Sequence, residues 1–370
     1  MRKIRYLKFV VLVLCTFFIL NIFNCALAKD WPMFGLNISR TGCLQNEKFQ
    51  PKYKLKWIFE IDAEINSSPA VVNNKVIFGS DNGIIYALDS QTGKEIWNLK
   101  TEGIVDSSPA VQGDIVYVGS RDSKFYAVNA KDGTIKWTFN AEDRISSSPV
   151  INGNKVYFGS WDGKIYALNI SDGSLAWKYS TKNRIMSSPA IRNDTLYIGS
   201  HDNNLYALNS KSGKLKWRFH SGNFIMSPPS VYNNTVYFGS WDKNIYALNS
   251  SNGAVKWKRT TKETVGRAIS TNGNLVYTVS DDKNIYCLNA NSGRIVWKKN
   301  LGGLVAGSSP VIVNNSLYIG SADGNIYTLN ALNGAKKWNY NTGAPIMSTP
   351  VLSDGILYVA SQNGKLFAIE

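Results

Sequence analysis

The chain has only two histidines and four cysteines in 370 residues. It contains no CxxC, no adjacent cysteine pair and no paired Cys/His spacing, which removes zinc-ribbon, redox-dithiol and disulfide-framework architectures. Cys15 and Cys25 lie in an N-terminal apolar run, and Cys43 and Cys287 stand far apart, so sequence leaves open whether the latter two pair. No stretch sustains a 3.6-residue apolar period, which argues against helical folds. Acids are scarce beside bases, 26 Asp and Glu against 41 Lys and Arg, for a net charge of +15.

What is present begins with an export signal. MRKIRYLK is followed by FVVLVLCTFFILNIF and then by Ala26-Leu27-Ala28, a small-x-small cleavage site. Residues 1–28 are therefore expected to be a signal peptide, with the mature chain starting at Lys29 and located in the periplasm or outside the cell. A retained membrane anchor and lipidation at Cys15 or Cys25 are the competing readings. The apolar run is short for a span, and neither Leu14 nor Phe23-Asn24 suits a lipobox. Loss of Arg2, Lys3, Arg5 and Lys8 leaves +11, enough to attract an anionic surface.

Tryptophans recur at Trp57, Trp97, Trp137, Trp177, Trp217, Trp257, Trp297 and Trp338, 40 residues apart except for one step of 41. A period of that length fixes an array architecture. One unit, Ser67 to Lys100, divides into four β-rich runs separated by Asn73-Asn74, Asp81-Asn82-Gly83 and Thr92-Gly93, residues that tolerate the positive φ of tight hairpins. Four strands per unit and eight tryptophans predict an all-β, eight-bladed propeller over 53–370, preceded by a lead-in segment, 29–52. The first tryptophan strand lacks its three partners, and the last unit ends without a tryptophan strand. The N-terminal strand should complete the last blade and close the ring.

The repeated tryptophans are expected between blades, as core whose truncation costs about 3–5 kcal/mol. Lysine and arginine crowd the fourth strands, as in KLKWRF, VKWKRT, IVWKKN and KKWNY. There they discourage edge-to-edge aggregation. That charge reads as spread around the ring, which places nucleic acid low among partners. Asp122, Asp162, Asp202, Asp242 and Asp282 occupy one repeated position and read as turn formers. Trp161-Asp162 falls in the wrong register for a WD repeat and has no Gly-His partner.

ALDSQTGKEIW at 87–97, with ALNISDGSLAW, ALNSKSGKLKW and CLNANSGRIVW, resembles the tryptophan-docking motif of pyrroloquinoline-quinone (PQQ)-type propellers, and DWPMFGLNISRTG at 30–42 resembles their lead-in. The resemblance spans nearly all of the mature chain. It implies either a quinoprotein dehydrogenase or a non-enzymatic relative such as the propeller subunit of the outer-membrane β-barrel assembly machinery. A dehydrogenase of this family would carry bound quinone, Ca²⁺ held by acid and amide side chains, a catalytic Asp and often adjacent cysteines. Adjacent cysteines are absent, and repeats without insertions leave no loops to build the pocket. The resemblance thus implies a non-catalytic scaffold without cofactor, with PQQ and Ca²⁺ as the alternative.

Columns that vary while their neighbours repeat are the candidate site. By strand parity, the turns after strand two and the links between blades share one face. The first set places Arg121, Trp161, His201 and Trp241 in successive blades, and the second contributes Arg144, Arg184, Met186, Phe224 and Met226. This aromatic, arginine and methionine mixture matches protein-protein hot spots, so a protein partner is expected across blades three to five. The alternative is that Trp161 and Trp241 fold back to cap the core, with His201 a solvated turn residue. In blade six Thr264-Val265-Gly266-Arg267-Ala268-Ile269 replaces the usual Ser-Ser-Pro start. Arg267 near the axis is either an anion-binding residue or a drifted repeat. The expected molecule is a monomeric envelope scaffold, with peripheral association to an anionic membrane surface open. A quinone or carbohydrate binder and a basic polymer-binding module are the other readings.

Overall fold

In the computed structural model, which describes residues 30–44, 52–301 and 308–370, each repeat folds into an antiparallel meander. Blade one comprises Ala70–Val72, Lys75–Gly79, Ile84–Asp89 and Glu95–Lys100. Its first hairpin turns through Asn73 and Asn74 at φ of 50° and 59°, the left-handed pair that a two-residue loop requires. Eight such sheets form the propeller, seven of four strands and one of five. The expected signal peptide lies outside the described residues.

Ring closure follows the expected route. Leu55–Glu60 pairs antiparallel with Lys365–Ile369, making the N-terminal strand the outermost of blade eight.

The tryptophans bind blade to blade. Trp97 Nε1–H donates to Ala130 O (2.9 Å), and its ring covers Gly133 of the next blade, where a Cβ would come within 2.9 Å of the indole. The same donation, 33 or 34 residues along the chain, links Trp57, Trp137, Trp177, Trp217, Trp257 and Trp297 to their neighbours. At the closure Trp338 meets no such glycine and is stacked instead by Tyr53, centroids 4.4 Å apart. Tyr53 itself holds φ of 56°.

A second ring of contacts encircles the axis. Ser68 N–H donates to Ser108 Oγ, Ser108 N–H to Ser148 Oγ and Ser148 N–H to Ser188 Oγ, each at 2.9 Å. Thr349 N–H returns to Ser68 Oγ at 2.8 Å. Pro228 and Ala268 occupy this position in blades five and six, so the belt of hydroxyls is interrupted there.

The lead-in crosses the lower end of the channel. Its backbone joins the inner strands of successive blades, for example Trp31 with Val71, Pro32 O with Val111 N–H, Ser39 O with Val231 N–H and Gly42 O with Ile312 N–H. Cys43–Leu44 adds a parallel fifth strand to blade seven. Arg40, only 1% exposed, donates to the carbonyls of Phe34, Ser148, Pro149 and Pro189 at 2.5–3.1 Å and lies over the Phe34 ring. Burial pulls its pKa down to about 9, and the four carbonyls offset that by accepting from the charged form. Cys287 is a free, buried thiol in the same core cluster as Cys43, so those two do not pair.

Glycine substitution separates backbone strain from tryptophan docking. Gly153 (φ 62°) has open space where a Cβ would project, whereas at Gly173 (φ 74°) a Cβ would meet the Trp137 ring at 2.5 Å. Gly153→Ala should cost about 1–2 kcal/mol for the left-handed backbone alone, and Gly173→Ala about 1–3 kcal/mol more for displacing the indole. Urea unfolding of both variants checks this; equal losses would mean that the ring contact is not tight.

Candidate functional site

The two loop sets do share a face, because a backbone hydrogen bond ties them together in blade after blade. Trp161 N–H donates to Arg144 O, His201 N–H to Arg184 O and Trp241 N–H to Phe224 O, at 2.9–3.0 Å. The turns are held by their aspartates. Asp162 Oδ1 accepts from Lys164 N–H, and Oδ2 accepts from Tyr166 O–H and Glu142 N–H. Asp122, Asp202, Asp242 and Asp282 make the equivalent bonds, so these carboxylates are spent on loop geometry. Among the described residues no group of three or more His, Cys, Asp or Glu is placed to hold a metal ion.

Six of the nine candidate residues join into one stripe. The Cζ atoms of Arg144 and Arg184 lie 5.3 and 5.0 Å from the Trp161 ring centroid, and Arg121 reaches it at 6.0 Å. All three are within cation–π range. Arg184 Nε–H donates to His201 Nδ1 (3.1 Å), His201 stacks on Phe224 (4.6 Å, 17°), and Phe224 meets Trp241 (5.8 Å). Arg144 and Arg184 are exposed, Trp161 and Phe224 half-buried, and Trp241 is 36% exposed.

Three guanidiniums around one indole make an electropositive spot. Asp106 pairs with Arg121 at 2.6 Å, and no ion pair neutralises Arg144 or Arg184 among the described residues. Trp161 Nε1 is buried without a hydrogen-bond partner. So is His201 Nε2, which carries the ring proton because Nδ1 accepts from Arg184.

His201 departs from the solvated-turn alternative, being only 4% exposed between Arg184 and Phe224. The partners that bury it come from links on either side of its own turn, a juxtaposition no single repeat displays. Asp106 was missed, and Arg121, which precedes Trp161 in the variable column, falls in blade two, outside the expected span of blades three to five.

The remaining three candidates, Met186, Met226 and Arg267, line the upper channel instead. They border a cavity of about 180 Å³ with Asp106, Ser146 and Phe34, the last supplied by the lead-in. Burial lowers the Arg267 pKa, and the Asp281 charge opposes that shift. The irregular sixth blade also serves Trp241: a Cβ on Gly266 would sit 3.3 Å from Trp241 Nε1. The Asn, Asp, Ser and Met residues that fill this column in blades one to five and eight would have to displace the indole.

Fold and site together define an eight-bladed tryptophan-docking propeller. Residues 258–370 match the family model described as outer membrane protein assembly factor BamB, and residues 105–265 match one described as the β-propeller of beta-alanine-activating enzyme. Each model covers less than half of the chain, and both describe propeller or propeller-containing proteins, in keeping with the fold. Among solved structures, BamB from Moraxella catarrhalis is 21% identical, with TM-score 0.75 over 85% of this chain and 98% of that one. A quinohemoprotein alcohol dehydrogenase from Comamonas testosteroni is 16% identical, with TM-score 0.80 over 93% of this chain and 81% of that one. A computationally designed protein, Ika8, is 17% identical with TM-score 0.77 over 86% and 99%. An outer membrane protein assembly factor, an alcohol dehydrogenase and a computational design are thus alike in shape, and shape does not choose among functions. No curated protein sequence matches the chain.

Burial, with the Arg184 charge adding to it, lowers the His201 pKa to about 4. A folded value below the unfolded 6.5 means that the neutral ring contributes stability above pH 6.5, and that this contribution fades as pH falls from 6.5 toward 4. An NMR titration should show the His201 ring titrating near pH 4, with stability declining over that window. A midpoint near 6.5 would mean that the Arg184–His201–Phe224 stack does not form.

Proposed function

We propose that this protein is an exported, non-catalytic scaffold of the cell envelope, present as a monomer, whose upper face holds a protein partner in the manner of an outer-membrane protein assembly factor. The observation that carries the reading is the Arg144–Trp161–Arg184–His201–Phe224–Trp241 stripe. It displays arginine and tryptophan over a buried aromatic support, the composition and layout of interface anchors. The likeness to BamB over residues 258–370 points the same way. The unpaired Arg144 and Arg184 favour a partner that presents carboxylates.

The axial cavity suits a cofactor poorly. A quinone–Ca²⁺ pair needs a cage of acid and amide oxygens together with cations for the quinone carboxylates. Among the described residues the charged side chains lining this cavity are Asp106, already paired with Arg121, and Arg267. At about 180 Å³ it is also smaller than the roughly 300 Å³ at which ligand pockets begin. A quinone or carbohydrate binder is therefore the second reading.

The test is crosslinking capture from the native envelope with tagged mature protein and with Trp161→Ala/Trp241→Ala, compared at matched thermal stability. A discrete partner is expected with the native protein, and at least a tenfold weaker yield with the variant, as removal of hot-spot residues produces. Equal capture by both would displace the interface from this face. Absence of any specific partner would transfer the weight to quinone and sugar titrations.

A further inference from the structure

The positive charge proves not to be spread around the ring. Residues 52–210 contain 17 Lys and Arg and 17 Asp and Glu, and residues 301–370 contain three of each. Residues 211–300 contain 14 basic side chains against four acids, a net +10. Nearly all of the +11 of the mature chain therefore belongs to a segment running from the outer edge of blade four to the outer edge of blade six.

The fold sets most of this charge on the rim. The outermost strands of these blades, Leu215–His220, Val255–Thr260 and Ile295–Asn300, carry seven lysines and arginines and no acid. Arg218, Lys258 and Lys299 are exposed and form no ion pair among the described residues. Beside them Leu215, Val255, Ile295 and Val296 are 42–51% exposed. Aliphatic side chains stand out on other blade edges too, at Ile96 and Ile135, but on strands that carry a single lysine each.

We propose that the rim of blades four to six is a docking surface for an anionic lipid membrane. The inference is independent of the upper-face reading and concerns a different side of the molecule. Interleaved cations and aliphatics are the pattern of a peripheral membrane surface, where charge draws the protein in and apolar side chains enter the headgroup layer. A nucleic acid would need exposed aromatic rings for stacking. The indole and phenyl rings of these strands, Trp217, Phe219, Trp257 and Trp297, are buried or half-buried within the blades instead, and His220 is the one exposed ring among them. Eight blades share a full turn, so the edges of blades four and six tilt about 45° from that of blade five. Their long cations stay within the Debye length of about 10 Å of a plane resting on the middle edge.

Co-sedimentation of the mature protein with phosphatidylcholine vesicles, with and without about 30% phosphatidylglycerol, tests this. Binding is expected only to the anionic vesicles and should fall steeply with salt. Arg218→Gln/Lys258→Gln/Lys299→Gln should weaken it by about tenfold to a hundredfold, whereas Lys54→Gln/Lys94→Gln/Lys136→Gln, on the opposite edges, should change it little. Equal binding to neutral vesicles, equal loss in both triple variants, or retention by heparin without any vesicle binding would each overturn the proposal. None of these outcomes depends on partner capture by the upper face.

Discussion

An indole lying on a left-handed glycine of the adjacent blade, with its N–H on that blade's carbonyl, is the contact on which the rest of this molecule depends. It works in two directions. The ring needs a surface without a Cβ, which the glycine of the third turn provides, as at Gly133 beneath Trp97. The carbonyl needs a donor, and the N–H satisfies it in a partly buried setting where an orphan would cost about 1–3 kcal/mol. Because a blade supplies its tryptophan to one neighbour and, except across the seam, receives one from the other, the interaction cannot be satisfied by a lone repeat. Stability is therefore cooperative around the ring, and the two ends of the chain must meet. Tyr53 on Trp338 is the adaptation at the seam, where the chain termini replace the turn that elsewhere carries glycine.

Much of this was legible in sequence because it is periodic. The 40-residue tryptophan spacing announced eight blades, the lopsided ends announced the closure, and the Asp column announced its turns. The stripe was legible in outline, since strand parity alone puts the two loop sets on one face. What escaped is what has no period. The lead-in contains no repeat, so nothing in DWPMFGLNISRTG declares that Arg40 will be buried under four carbonyls or that Phe34 will reach the channel. The burial of His201 was not legible, because its environment is made by Arg184 and Phe224, from the links before and after its blade. The charge asymmetry was present in the sequence and was hidden by comparing strands one at a time, where each looks modestly basic.

The lead-in also explains why the two ends of the propeller are unequal. Its backbone continues the inner strands at the lower end, which satisfies carbonyls and amides that would otherwise face an open channel. Among the described residues no such segment crosses the upper mouth, and the serine belt beneath it is interrupted at Pro228 and Ala268. The interruption lies beside Arg267 and below Trp241, so the least regular part of the inner wall supports the most exposed aromatic of the stripe. A repeat protein departs from its consensus at some cost in packing, and here the departures in blades three to six gather on one face.

Face and rim are perpendicular in a propeller, and this has a geometric consequence for how both could be used. A lipid surface against the outer edge of blade five leaves the propeller axis parallel to the membrane plane. The upper face then looks sideways along the membrane rather than toward it or away from it. The stripe lies on blades three to five, so its Trp241 end is close to the surface and its Arg144 end stands further off. A partner reaching the stripe would approach along the bilayer, as a segment projecting from a membrane-embedded protein does, and would meet the two unpaired guanidiniums on the side away from the lipid. Anionic headgroups and an acidic partner would then occupy separate cationic regions of the same protein without competing for either.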